Sequence, residues 1–187
     1  MAGEPLREHF RTLGHRGVTS RIRRPCTVLP VVAGQAHNRC VPSDSVGPTL
    51  HLEKVLQAPA ERLFAACVEP EKLAEWWGPA GFTAPRLDLD VREGGRYRIT
   101  MQPPDGEAFH LRGEFSEVDP PRRLVYTFEW EEPDPDDQET VVTLSFLDHR
   151  EGTRLVLDQG PFATEARRAL HEAGWTETLE RLEQSLK

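Results

Sequence analysis

Residues 50–187 predict an α+β domain in which a curved antiparallel sheet of about seven strands is closed by a long C-terminal helix. Three observations carry the prediction. Short segments of alternating apolar residues recur between residues 87 and 157, each separated from the next by turn chemistry. Two brief helical patterns precede them and end on Gly78-Pro79. A final stretch from Phe162 to Leu186 lacks proline and is rich in Ala, Glu, Arg and Leu, all strong helix formers.

Taken in order, Leu50, Leu52 and Val55 mark a first strand that ends near Ala58-Pro59. Pro59 suits the first turn of a helix, where its missing N–H costs nothing, and Leu63, Phe64 and Cys67 give that helix an apolar face. A second helix starts near Pro70, carries Leu73, Trp76 and Trp77, and stops at Gly78-Pro79. Leu87, Leu89 and Val91 alternate before Gly94-Gly95; Tyr97, Ile99 and Met101 alternate before Pro103-Pro104-Asp105-Gly106, whose Asp-Gly is a hairpin signal. Leu111, Gly113 and Phe115 follow, then the turn Asp119-Pro120-Pro121. Leu124, Tyr126, Phe128 and Trp130 share one face of the next strand, with Val125, Thr127 and Glu129 on the other. The acid- and proline-rich segment from Glu131 to Glu139 reads as a solvated hairpin loop, because it lacks the Asp/Asn–Gly spacing of a calcium loop. Val142, Leu144 and Phe146, then Leu155 and Leu157, supply the last two strands around a turn near Glu151-Gly152. In the terminal helix, Trp175, Leu179, Leu182 and Leu186 fall at steps of four, three and four and form one stripe that must be buried. Gly174 costs that helix about 1 kcal/mol relative to Ala and predicts a closely approaching neighbour.

Charge divides the chain. Residues 1–49 carry seven Arg against Glu4, Glu8 and Asp44, a net +4, whereas residues 50–187 carry 16 basic and 28 acidic side chains, a net −12. The acidic domain repels phosphate backbones, which argues against a nucleic-acid partner. No apolar run nears the roughly 20 residues needed to span a bilayer, so no membrane insertion is expected and the protein is placed in the cytoplasm. The head, residues 1–49, has no sustained periodicity and several prolines, and is expected to be an unpacked extension. Its Arg-rich composition also resembles a transit peptide, but the arginines fall on no amphipathic face; a disordered tail or an upstream region read through from a misassigned start fits better. Three cysteines, Cys26, Cys40 and Cys67, are too few for a disulfide scaffold and fit a reducing compartment. His37 and Cys40 have metal-like spacing without a second pair to complete four ligands, so no metal is assigned.

A curved sheet leaves a volume that one helix cannot fill alone. The expected inward set is rich in rings, among them Phe109, and these either fill that volume or line a pocket within it. Polar groups near the inner surface are sparse: Glu117, His110, His171 and Asp158. His110 alternates outward with Arg112 and Glu114, while His171 lies four residues before Trp175 on roughly the same helical face. The sequence contains no Gly-x-Ser-x-Gly elbow, phosphate-cradling glycine loop or zinc-protease His pair, so no catalytic residue and no cofactor are assigned.

Four motifs occur in order across residues 50–187. They are Trp76-Trp77-Gly78-Pro79, Asp90-Val91-Arg92-Glu93-Gly94-Gly95, the run from Gly113 to Val125 with Asp119-Pro120-Pro121-Arg122-Arg123 inside it, and His171-Glu172-Ala173-Gly174-Trp175. Together they resemble the START-like (SRPBCC) superfamily, and within it the bacterial homologues of the heat-shock protein 90 ATPase activator. The resemblance implies the helix-grip fold and a cavity between sheet and terminal helix, which relatives use for lipids, polyketides, hormones or other apolar molecules. It does not by itself fix an activity. The expected function is binding of a small hydrophobic molecule, in a stress-related setting. Alternatives are a polyketide cyclase-like enzyme, and a co-chaperone acting on a chaperone ATPase; a chaperone or a second copy of the chain is then the partner. The residues assigned to the cavity lining are Trp76, Trp77, Phe82, Tyr97, Met101, Phe115, Tyr126, Phe128, Trp130, Phe146, His171, Trp175 and Leu179.

Overall fold

The computed structural model describes residues 47–187. The expectation of an unpacked head therefore falls, apart from residues 47–49, outside the described residues, as do Cys26, Cys40 and His37. The elements are β1 (Leu50–Leu56), α1 (Ala60–Val68), α2 (Pro70–Trp76), β2 (Thr83–Leu89), β3 (Arg96–Gln102), β4 (Phe109–Asp119), β5 (Arg123–Trp130), β6 (Thr140–His149), β7 (Gly152–Gly160) and α3 (Glu165–Ser185). All seven strands form one antiparallel sheet in the order β1-β7-β6-β5-β4-β3-β2. The sheet is curved, and α1, α2 and α3 cover one face, giving the helix-grip arrangement.

Local chemistry explains the element ends. Pro59 caps α1 from outside the helix, its carbonyl accepting from the N–H groups of Arg62 and Leu63, and Pro70 is the first residue of α2. α2 ends at Trp76; Trp77 is already extended, one residue sooner than the apolar pattern indicates. α3 begins at Glu165 rather than at Phe162, because the Thr164 hydroxyl accepts from the Arg167 N–H and caps the helix there. Val55 also departs from expectation: it faces outward and is 39% exposed, while Leu50 and Leu56 carry the buried side of β1.

Curvature has visible causes. Register shifts interrupt the β2–β3 ladder between Thr83 and Arg86 and the β4–β5 ladder between Phe115 and Glu117, and such bulges bend and twist a sheet. Between β3 and β5, Tyr97 reaches across Gly113 to donate its hydroxyl to the Thr127 carbonyl at 2.6 Å. A Cβ at position 113 would overlap that carbonyl and lie 2.6 Å from the Tyr97 ring, so only glycine admits the crossing.

Candidate functional site

The space between sheet and helices holds a wall of touching aromatic rings. From the edge strands inward, Phe82 meets Phe109 at 6.0 Å between ring centroids, Phe109 meets Trp130 at 5.3 Å, and Trp130 meets Phe128 at 5.1 Å. Phe128 then approaches Trp175 of α3 at 6.5 Å, Trp175 meets Trp77 edge-on at 5.5 Å, and Trp77 meets Trp76 at 5.7 Å. His171 stands beside this row, 4.9 Å from Phe162 and 5.3 Å from Phe128. Tyr97, Phe115 and Tyr126 form a second triangle of rings 5.4–6.0 Å apart. Such contacts contribute beyond burial alone, on the order of 0.5–1.5 kcal/mol per pair.

One cavity lies inside this lining. Trp76, Trp77, Tyr97, Phe115 and Tyr126 border it together with Cys67 and Leu73 from the short helices, and its volume is about 20 Å³. That holds about one water molecule and no organic ligand. The larger hollows, about 800 and 550 Å³, are surface depressions. The first runs over the charged outer face of β2–β5, and the second lies between the start of α1 and the β6–β7 turn. The interior between sheet and helices is thus filled by its own side chains.

Of the residues assigned to the lining, Trp76, Trp77, Tyr97, Phe115 and Tyr126 border the cavity itself. Phe82, Phe128, Trp130, His171 and Trp175 belong to the adjoining ring wall. Met101 and Leu179 are buried, with the Met101 methyl against Gly78. Phe146 is placed elsewhere: it packs on Phe64 at 5.6 Å and borders the second surface depression. Sequence reasoning missed Cys67, Leu73, Leu89, Ile99, Leu124 and Leu144 as cavity neighbours, because such a core position gives no signal distinct from packing.

Polar groups are few and mostly tied. Gln159, 2% exposed, accepts at its Oε1 from Trp175 Nε1 at 2.7 Å and from His171 Nδ1 at 3.2 Å, and its Nε2 donates to Thr140 Oγ1 at 2.8 Å. The Gln159 oxygen can only accept, so His171 carries its proton on Nδ1. Burial, with a smaller contribution from the Arg167 charge, lowers the His171 pKa to about 4, and the ring is neutral at pH 7. Burial also pushes the Cys67 thiol up to about 12, so it is no nucleophile. Two other polar residues placed near the inner surface by their positions in the sequence lie outside it. Glu117 pairs with Arg123 at 3.0 Å, and Asp158 accepts from exposed His51 at 2.7 Å. Each sits past a register shift or on the outward phase of its strand. His110, Glu131 and Glu132 bring three ligand atoms within 4.8 Å of one another, the one such group found among the described residues. Glu131 there is already engaged by both Nε and Nη2 of Arg98.

Arg181, which by its spacing faces away from the buried stripe of the helix, organises the Trp76-Trp77-Gly78-Pro79 motif. Its Nη1 lies 2.8–3.2 Å from the carbonyls of Trp77, Gly78, Pro79 and Phe82, and its Nη2 donates to Glu75 O at 3.1 Å. Glu177, one turn earlier, accepts from the Ala80 N–H at 3.2 Å. A cation at the C-terminal end of α2 also meets the negative end of that helix. The second half of α3 is thus latched to the motif, and every buried residue of the helix, Trp175, Thr178, Leu179 and Leu182, lies in that half. The first half is held by Arg167, whose guanidinium reaches Asp134 at 2.7 Å and Asp137 at 3.3 Å in the β5–β6 loop, and by His171 on Gln159.

The profile of the family described as "Activator of Hsp90 ATPase homolog 1-like protein" matches residues 57–187. The chain belongs to this family. Solved structures agree: the AHSA1 protein from Silicibacter pomeroyi is 31% identical, with 74% of this chain and 97% of that one covered at a TM-score of 0.66. A protein from Rhodobacter sphaeroides is 28% identical over 75% of this chain and 94% of its own, at 0.64. One from Chromobacterium violaceum is 27% identical over 73% and 96%, also at 0.64. No curated protein matches the chain. Among the described residues no helix is long and apolar enough to cross a membrane.

Proposed function

We propose that this member of the family binds a small, largely apolar molecule between the sheet and α3, by parting the first half of that helix from the ring wall. The observation that carries the reading is the division of α3. Its second half is buried and latched, whereas its first half, whose residues are half-buried or exposed, lays His171 on Phe128 and Trp130 and is held by the Arg167 ion pairs and the His171–Gln159 hydrogen bond. Gly174 stands at the junction, and glycine is where helices yield. A 20 Å³ interior means that ligand entry and opening are one event.

Native mass spectrometry of freshly purified protein, with titration of fatty acids, aromatics and polyketide-like compounds followed by tryptophan fluorescence, tests this. Saturable binding accompanied by a change in Trp130 or Trp175 emission is expected. Absence of both a co-purifying species and saturable binding overturns it.

One observation favours a second reading, a cyclase-like enzyme that works by positioning its substrate: His171 is an ionisable group on the wall, held neutral with one ring nitrogen committed to Gln159. His171→Ala abolishing turnover of a polyketide-like substrate while leaving binding intact would establish it. The chaperone role in the family's name needs a docking surface. Val55 and Leu147 flank Arg154 on the outer sheet face and Val141 lies at the far end of β6, so they form no continuous apolar patch.

A further inference from the structure

Several donors of the wall are paired. Trp76 Nε1 donates to Ala66 O at 2.9 Å, Trp175 Nε1 to Gln159, and the Tyr97 hydroxyl to Thr127 O. Trp77 is the exception: its side chain borders the cavity, it is 6% exposed, and its Nε1 is the one buried side-chain nitrogen or oxygen among the described residues without a hydrogen-bond partner. Leaving such a donor buried and unpaired costs a fold the full desolvation of the group, and a native protein retains one where something else supplies the acceptor. The rest of the cavity border is hydrocarbon, aromatic ring, a neutral thiol and the phenol groups of Tyr97 and Tyr126, with no Lys, Arg or His. A carboxylate brought there would have no counter-charge.

We infer that the Trp77 indole N–H is the polar anchor of the interior site and selects apolar molecules bearing a neutral acceptor, a ketone, aldehyde or ester carbonyl, over hydrocarbons and over acids. The inference rests on the ligand-binding reading above and adds to it the class of ligand and the residue that reads it. A carbonyl oxygen accepting from Trp77 would satisfy this buried donor while the rest of the molecule packs on the rings of Trp76, Phe115 and Tyr126.

The test uses acetophenone, its hydrocarbon analogue cumene, and benzoate, each titrated into the full chain and into Trp77→Phe. The substitution should weaken acetophenone about tenfold, the size of one lost buried hydrogen bond, and change cumene by less than twofold. Benzoate should bind at least tenfold more weakly than acetophenone to the unaltered protein. Because Trp77→Phe also removes ring contacts and risks loss of folding, the second readout is the indole N–H resonance of Trp77 in the unaltered protein. That resonance should move downfield with acetophenone and not with cumene. Equal weakening of both probes by Trp77→Phe, an unmoved Trp77 resonance at saturating acetophenone, or benzoate binding as tightly as acetophenone overturns the anchor and leaves the pocket standing. Failure of every probe to bind overturns the pocket, and the anchor with it.

Discussion

Replacing Arg181 by Met removes the latch between α3 and the Trp-Trp-Gly-Pro loop while keeping most of the side-chain volume. Nη1 lies within bonding distance of four carbonyls but has only two hydrogens, so the five contacts amount to about three full hydrogen bonds. At roughly 1.5 kcal/mol for each bond to a charged donor, the gross loss is about 4–5 kcal/mol. Rehydration of the partly exposed carbonyls and recovery of the arginine's side-chain freedom offset part of this, leaving about 2–3 kcal/mol. For a domain of this size that is a fall in Tm of roughly 6–10 °C. Urea unfolding followed by tryptophan fluorescence gives the free energy directly. Native-state hydrogen exchange should show faster opening in the second half of α3, with the β5–β6–β7 strands lowered only by the global change. Arg181→Lys should fall between, since an ammonium cannot span carbonyls from Glu75 to Phe82. A loss below about 0.5 kcal/mol for Arg181→Met, or exchange changed uniformly along α3, would refute the latch.

Acidification should reveal His171. Its pKa is about 4 in the fold and about 6.5 unfolded, so the unfolded chain takes up the extra proton first; the contribution is intact above pH 6.5 and drains as pH falls toward 4, by at most about 3 kcal/mol. Urea curves of the unaltered protein and His171→Gln at pH 7, 5.5 and 4.5 should converge as pH falls, and curves that stay parallel would count against the assignment. Gln159→Leu strands the Trp175 and His171 N–H groups and takes from the Thr140 hydroxyl its donor, leaving it only the Phe128 carbonyl, for an expected loss of about 2–4 kcal/mol in the same assay. Iodoacetamide at pH 8, with peptide mass mapping, should leave Cys67 unmodified in the folded protein and label it in urea, because the buried thiol titrates near 12. Gly174→Ala should raise helix stability by up to about 1 kcal/mol and slow ligand association in stopped-flow; unchanged association kinetics would remove the hinge from the entry scheme.

The sheet was legible because period-two alternation and turn residues act locally: Tyr97, Ile99 and Met101 point inward as their spacing demands. The stripe of Trp175, Leu179 and Leu182 was equally plain. What escaped depends on pairings distant in sequence. Arg181 looks like any exposed helical arginine until the loop 104 residues earlier is folded against it. Simple alternation from Phe115 turns Glu117 toward the interior, but the register shift after Phe115 sets it beside Arg123 instead. Phe146 has the right phase and the wrong place, since inward on β6 means toward α1 and Phe64 at that height of the sheet. Nor does composition distinguish rings that fill a volume from rings that line one; only the 20 Å³ left between them does.

The Trp-Trp-Gly-Pro motif gathers these strands into one arrangement. Trp76 ties α1 to α2 through the Ala66 carbonyl, Trp77 walls the cavity and meets Trp175, and the backbone carbonyls from Trp77 to Pro79 receive Arg181. Gly78, at a φ of 90° that side chains rarely adopt, allows the turn, and a Cβ there would lie 2.9 Å from the Met101 methyl and displace it. A loop that carries both the cavity wall and the latch cannot leave the helix without exposing the wall, so the latched half of α3 is the fixed side of the site. On the proposed reading, movement comes from the half before Gly174, where Arg167 with Asp134 and Asp137, and His171 with Gln159, hold the helix over Phe128 and Trp130. Entry at that end would bring a ligand past His171 before it reached Trp77, with the ring wall as its path.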